Sequence, residues 1–376
     1  MGGARMSGAD QRSESDHLRQ GHGGQLEPDA KAERPALQLR RGPLGAAIDG
    51  IRRVTRAPAI LLGVWALTLC VSLPLALALR GMLAEHLGSS LAADTAASGV
   101  NYDWMQEFGD QATGLGVTFK PTIIGFGAVL DNLSTFVEGR ARPAVLVGAA
   151  CAYMAVWLFL AGGIIDRYAR DRATRSHGFF AACGVFFWRF LRLAVVMWAA
   201  YALVLSIVQP WLFGEKIYGR LTRDMTVERS AFFVAIGLYA IVALLLAGCN
   251  LIFDYAKVRA VVEDRRSMLG AVRAALGFIG RNRAAAILLY ALDVALFLLV
   301  LAVYALVAPG AGAGGLSLWI GFAVGQLYVL ARLWVKLVFW ASETALFQGR
   351  LAHAAYVAAP TPTWPDSPAA EAISRS

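Results

Sequence analysis

Three charged residues that interrupt long apolar runs are the strongest candidates for chemistry in this sequence. Asp293 lies in one apolar run, and Arg332 and Lys336 lie in the next. The Gly-rich segment 309–315 separates the two runs, so we expect them to fold back on each other as a hairpin. With the turn centred on this segment, Asp293 and Arg332 come to the same depth. A lone charge inside a membrane is costly, whereas two opposite charges at one depth offset each other.

This predicted pair has two interpretations. As a functional site, Asp293 and Arg332 would form a proton or ion relay, or an anion-binding pocket within the helix bundle. As a structural site, they would form a buried ion pair that fixes the register of the last hairpin, with Lys336 extending towards the membrane surface. We favour the structural interpretation, because a matched pair with no third acid nearby in sequence needs no ligand.

A second set of candidates consists of three acidic residues at the inner ends of apolar runs, namely Asp166, Asp254 and Glu343. Their separations of 88 and 89 residues indicate an internal repeat. They could ring a vestibule at the cytoplasmic surface. More simply, they could cap helices or pair locally, Asp166 with Arg170 and Asp254 with Lys257.

Motifs of the common enzyme classes are absent from the sequence. It contains no HExxH, no GxSxG and no P-loop motif. The five histidines lie outside the apolar runs, and the four cysteines show no CxxC or Cys/His spacing. We therefore predict no catalytic residues, no metal site, no cofactor and no enzymatic activity.

The elements that would position these candidates are membrane helices. The chain is 57% hydrophobic and only 16% charged, with a mean hydropathy of +0.54, a balance typical of proteins dissolved in lipid. Six apolar runs approach the length of about 20 residues that a helix needs to cross a bilayer. We place these runs at about 58–79, 144–165, 193–213, 231–253, 284–308 and 316–341. The predicted fold is an all-α membrane protein with six transmembrane helices.

Short amphipathic stretches precede the first, third and fifth spans. They surround Leu44–Val54, Phe179–Phe190 and Met268–Ile279, and we interpret them as elbow helices in the membrane interface. Each elbow and the following hairpin make one of three repeats. The six-span domain covers 44–346 and includes a small external helical cap at 80–143. Residues 1–43 and 347–376 are predicted to be disordered cytoplasmic tails.

Charge distribution predicts the orientation. The net charge is +9, and basic residues concentrate in the segments 166–192 and 254–283. By the positive-inside rule these segments and both termini face the cytoplasm of a cell (inner) membrane. The same residues would contact anionic lipid headgroups. Because topology accounts for the basic residues, we do not predict nucleic-acid binding.

The order of elbow and hairpin, the sequence Phe253-Asp254-Tyr255-Ala256 and the basic run after it resemble bacterial polytopic membrane proteins of unassigned function. Membrane domains fused to some glycerophosphodiester phosphodiesterases are among them. The resemblance covers the spans but neither the first tail nor the cap, and it implies a membrane domain without catalytic residues. We expect a scaffold that organises lipids or protein partners, including a second copy of the chain. The alternative is a secondary transporter or permease that uses Asp293 and Arg332.

Overall fold

The apolar runs and the amphipathic stretches form helices in the part of the chain that the computed structural model describes. This part comprises residues 42–98, 101–120, 122, 125–138, 142–310 and 316–351, and no strand occurs within it. The predicted tails lie outside it except for residues 42–43 and 347–351. Of these, 347–350 belong to the last helix rather than to a tail.

The helices are, in chain order, α1 (Pro43–Thr55), α2 (Pro58–Ser89), α3 (Ala93–Ser98), α4 (Tyr102–Gln111), α5 (Gly125–Glu138), α6 (Ala144–Arg170), α7 (Ser176–Leu203), α8 (Gln209–Phe213), α9 (Arg220–Thr222), α10 (Glu228–Val262), α11 (Met268–Arg281), α12 (Arg283–Val307) and α13 (Leu316–Arg350). Two single π-helical turns, Val204–Val208 and Glu215–Gly219, flank α8. Within the described residues six segments are long and apolar enough to cross a membrane: α2, α6, α7 with its continuation to Thr222, α10, α12 and α13. The all-α, six-span prediction is confirmed.

The first and third elbows are separate helices, but the second is not. Pro58 ends the continuity between α1 and α2, because proline cannot donate the next helical hydrogen bond. Ser267 caps the start of α11 through the backbone N–H of Gly270. The predicted second elbow is instead the first half of α7, which runs to Leu203 without a break. No proline or glycine lies between this stretch and the third apolar run to end the helix.

A close contact between α6 and α7 buries the aromatic face of this second elbow. A Cβ atom on Gly162 would lie 2.7 Å from Cβ of Phe186, and one on Gly163 would lie 2.5 Å from Sγ of Cys183. Only residues without side chains permit this approach. Phe186, which the sequence placed in the lipid interface, is 2% exposed inside the protein. That expectation is wrong.

The buried core is concentrated at one end of the bundle. We call it the elbow end and define it as α1, α11, the last turns of α6, α10 and α13, and the first half of α7. Its large buried side chains include Tyr168, Tyr255, Phe278, Phe347 and Leu346. Elsewhere the spans expose their apolar side chains; only 6% of the α2 span is buried within the protein. Hydrocarbon is the environment that such surfaces require.

The cap between α2 and α6 is held by a small aromatic cluster. Nε1 of Trp104 donates to Nδ1 of His86 at 3.0 Å, and Phe108 and Phe119 pack on the same ring. Trp104 is therefore buried in the cap, whereas Tyr102 is exposed.

Candidate functional site

Asp293 is buried in α12, but its partner is Ser342 and not Arg332. The Oγ of Ser342, in α13, donates to Asp293 Oδ2 at 2.6 Å, and Asp293 is 2% exposed. Arg332 is exposed. Within the described residues Asp293 makes no ion pair with Arg332 or Lys336, so the predicted pair is wrong.

The register of the last hairpin explains the difference. The rings of Tyr304 and Tyr328 stack at 3.9 Å, and those of Tyr290 and Phe339 meet at 5.5 Å. These contacts bring Asp293 beside Ser342, which lies roughly three helical turns beyond Arg332. Large aromatic contacts outweigh the pairing of a single buried charge, whose desolvation cost offsets most of its Coulomb gain.

Lys336 interacts with aromatic rings rather than with a carboxylate. Its Nζ lies 3.6 Å from the ring centroid of Trp157 and 5.8 Å from that of Trp340. The electron-rich face of an indole attracts an ammonium group. Asp293, Arg332 and Lys336 thus have three different environments.

Two of the three repeated acids pair locally, as predicted. Asp166 accepts from Nε of Arg170 at 2.8 Å, and Asp254 pairs with Nζ of Lys257 at 2.7 Å. Asp254 also accepts from Nε1 of Trp340 at 3.2 Å, which joins α10 to α13. All three acids lie within their helices rather than at the ends.

Glu343 differs from its two counterparts in the repeat. It is 1% exposed, and neither carboxyl oxygen has a hydrogen-bond partner among the described residues. The charged groups that act on its carboxyl group electrostatically are Asp254, Asp293 and Lys257. A sequence signal for this isolation exists, because the positions three and four residues away on either side are all apolar: Phe339, Trp340, Leu346 and Phe347.

The structure therefore brings together Asp254, Asp293 and Glu343 and leaves Asp166 with Arg170. No group of three or more His, Cys, Asp or Glu side chains in the described part of the chain is arranged to hold a metal ion. The cluster therefore consists of three carboxyl groups in the bundle interior, of which Asp254 is paired with Lys257.

Two amide side chains connect spans through hydrogen bonds. Nδ2 of Asn250 donates to the hydroxyl of Tyr290 at 3.2 Å, and Oε1 of Gln326 accepts from Nε1 of Trp65 at 3.1 Å. Both amides thus form hydrogen bonds between helices. Each such bond satisfies a polar group that lipid cannot satisfy.

A buried arginine locks the first elbow to the bundle. Arg53 is 7% exposed, and its Nη1 donates to the carbonyl of Tyr168 at 2.7 Å and to Oε1 of Gln348 at 2.9 Å. Its Nε donates to Asp49 at 2.9 Å. Nε2 of Gln348 in turn donates to the carbonyl of Ala169 at 2.9 Å. This network ties α1 to the last turns of α6 and α13.

Arginines also hold the other two elbows. Arg259 Nη1 in α10 donates to the carbonyl of Ala274 in α11 at 2.6 Å, and its Nη2 pairs with Glu263 at 2.6 Å. Arg189 in α7 pairs with Asp264 at 2.5 Å. Sequence reasoning placed the basic residues of these segments towards lipid and missed the inward role of these three.

Glu263 is a locking carboxylate that lies just beyond a span. Burial raises its pKa, but hydrogen bonds from Arg259 and Arg265 outweigh burial, so the pKa lies below its ordinary value. Glu263 is therefore ionised when the third elbow is docked at neutral pH.

Two cavities open between elements. One, of about 570 Å³, lies between α5, the π-helical turn 204–208, the start of α8 and α10. The other, of about 430 Å³, lies at the elbow end between the α1–α2 junction, α6 and the start of α7. Asp293 and Glu343 line neither of these two cavities.

Comparison with protein-family models, with curated proteins and with solved structures finds no match for the chain. The resemblance to polytopic membrane proteins thus stays a prediction.

Proposed function

We propose that this chain is a non-enzymatic membrane protein that organises anionic lipids around its elbow end. The elbow end would face the cytoplasm of a cell membrane, as the distribution of basic residues predicts.

The observation that carries this proposal is that the arginines at the elbow end form two sets, one that binds protein groups and one that is exposed. Arg53, Arg189 and Arg259 hold the elbows to the bundle. A second set is exposed around the same end: Arg52, Arg172, Arg175, Arg266, Arg273 and Arg281. Each basic group near an anionic bilayer surface contributes about 1 kcal/mol of attraction. A rigid ring of outward arginines would therefore enrich anionic lipids without any reaction.

Tryptophan quenching by brominated lipids tests the proposal. Trp188 is 66% exposed in the first half of α7, close to the elbow end. In vesicles, we expect brominated phosphatidylglycerol to quench the protein more strongly than brominated phosphatidylcholine. The excess should fall in high salt and in the triple variant Arg175→Gln, Arg266→Gln, Arg281→Gln. Equal quenching by both lipids in the wild type would overturn the proposal.

Glu343 supports a second candidate, a secondary transporter. A buried carboxyl without a partner inside a membrane bundle is a candidate proton or ion site, and Glu343 lies near Asp254 and Asp293. Vesicles loaded with a pH-sensitive dye separate the two functions. The organiser predicts the same proton flux as in protein-free vesicles, whereas a flux that Glu343→Gln abolishes would favour the transporter.

A further inference from the structure

The cavity at the elbow end combines apolar walls with positive charge. Its volume is about 430 Å³, and its wall includes Gly63, Leu67, Leu160 and Phe180, from α2, α6 and α7. Arg56 and Arg167 line the same cavity. A ligand that fits it needs both a hydrocarbon part and an anionic part.

Arg167 is the more informative of the two arginines. It is 8% exposed, it forms no hydrogen bond or ion pair with any described residue, and its Nη1 is buried. An unpaired buried guanidinium is costly, since desolvation is not repaid by any acceptor. The other buried arginines at this end, Arg53 and Arg259, have acceptors within the protein. Arg167 is therefore an anion-binding group whose acceptor is not among the described protein atoms.

The second arginine leaves the cavity with an excess of positive charge. Arg56 lies 3.7 Å from Asp171, and both side chains are partly exposed. With one carboxylate for two guanidinium groups, the site has room for one further negative charge. Guanidinium groups bind phosphate oxygens through paired N–H donors, so a phosphodiester fits this charge balance.

We infer that this cavity binds a single anionic phospholipid, with its phosphate between Arg167 and Arg56 and an acyl chain along the wall formed by α2 and α7. The inference rests on the proposed organiser function and deepens it, because it names one site and one ligand class. The apolar wall favours a lipid over a free phosphate, and the net positive charge favours an anionic headgroup over a zwitterionic one.

Native mass spectrometry of the delipidated full chain, titrated with dioleoyl phosphatidylglycerol, tests the site. We expect one tightly bound lipid per chain. Arg167→Gln should weaken its binding roughly tenfold, as expected for the loss of a charge-assisted hydrogen bond. Arg80→Gln is the control, because Arg80 is exposed in α2, does not line the cavity and does not belong to the exposed arginines at the elbow end.

A cavity-filling variant keeps the test decisive if the loss of Arg167 impairs folding. A Cβ on Gly63 would meet no atom within 4 Å, so Gly63→Leu should fold while it fills the cavity. Gly148→Leu is its control, since Gly148 is equally open but lies outside the cavity wall. We expect the first variant to lose the tight lipid and the second to retain it.

Competition with phosphatidylcholine and with inorganic phosphate shows whether the cavity prefers an anionic lipid to a zwitterionic lipid and to a free anion. Neither should displace phosphatidylglycerol at equal concentration. Displacement by inorganic phosphate would identify a soluble-anion site, and unchanged affinity in both Arg167→Gln and Gly63→Leu would place the lipid elsewhere; either result overturns the inference. Loss of the tight lipid with the general preference for anionic lipids retained would leave the organiser function intact. The failure of the site and the failure of the proposed function are thus distinguishable.

Discussion

Ser342 and Glu343 are adjacent in sequence and both buried, yet only Ser342 has a hydrogen-bond partner among the described residues. Ser342 is fully buried and supplies the hydrogen bond that Asp293 accepts. Glu343 is equally buried and has no partner among the described residues. A paired buried group stabilises a fold only when both partners are present, whereas an unpaired one costs about 1–3 kcal/mol.

Removing the hydroxyl of Ser342 should therefore destabilise the protein. Ser342→Ala leaves Asp293 without its donor, and we expect the free energy of unfolding in mixed detergent to fall by about 1–3 kcal/mol. Thr344→Val is the control, because Thr344 is also fully buried but bonds only within its own helix, to the carbonyl of Trp340. An equal loss in both variants would contradict the role assigned to Ser342.

Replacing Glu343 by an apolar residue of similar length should instead stabilise the protein. Glu343→Met removes a carboxyl group that no described residue satisfies, so we expect the free energy of unfolding to rise by about 1–3 kcal/mol. The same denaturation assay measures it. A marked loss of stability would mean that Glu343 has an essential partner in the folded protein.

At this scale the sequence was informative about which residues are unusual and less so about their partners. It singled out Asp293, and it predicted the local pairs of Asp166 and Asp254, because their partners lie three or four residues away on the same helix face. The partner of Asp293 lies on another helix. It depends on the hairpin register, which stacked tyrosines and not charges determine.

At the scale of elements, the first elbow, α1, packs closely against α13. A Cβ on Gly50 would lie 2.6 Å from the backbone nitrogen of Ser342. No rotamer change relieves a clash with backbone, so one of the two helices has to move.

Gly50→Ala should consequently disrupt the docking of α1. We expect a loss of about 1–3 kcal/mol in the free energy of unfolding, the range typical of overpacked cores. Gly81→Ala in α2 is the matched control: its Cβ would meet nothing within 4 Å, and the higher helix propensity of alanine should slightly raise stability. Equal stability of both variants would show that α1 is not packed as described.

The third elbow should loosen in acid. The pKa of Glu263 is lowered in the folded protein, so its contribution to stability is present above the unfolded pKa of about 4.3 and is lost as the pH falls through the lower folded value. Thermal unfolding between pH 6 and pH 3 should show this loss, and Glu263→Gln should reduce the acid dependence. An unchanged pH profile in that variant would exclude Glu263 as the titrating group.

Elements themselves were predictable where local signals mark their ends. Pro58 and Ser267 separate the first and third elbows from their neighbours, and both elbows were predicted as distinct helices. The second was expected to be separate because its pattern is amphipathic, but amphipathicity alone does not end a helix. The pair Gly162 and Gly163 marks the surface against which it packs.

For the whole molecule, the orientation predicted from basic residues is directly measurable. In a cysteine-free background, Tyr102→Cys in the cap should react with a membrane-impermeant maleimide added outside the cell, and Arg175→Cys at the elbow end should not. Both positions are exposed in the folded chain, so access depends on the side of the membrane. External labelling at Arg175→Cys would overturn the predicted topology.

The lock on Arg53 also has a consequence for how the chain is made. Arg53 belongs to the first helix, yet its acceptors lie 115 and 295 residues further along. During synthesis at the ribosome, α1 emerges early and has to wait until the last helix has been inserted before its guanidinium finds Gln348. Contacts between distant parts of a chain form slowly because a long loop must close first. We therefore expect the first elbow to dock only after α13 has been inserted.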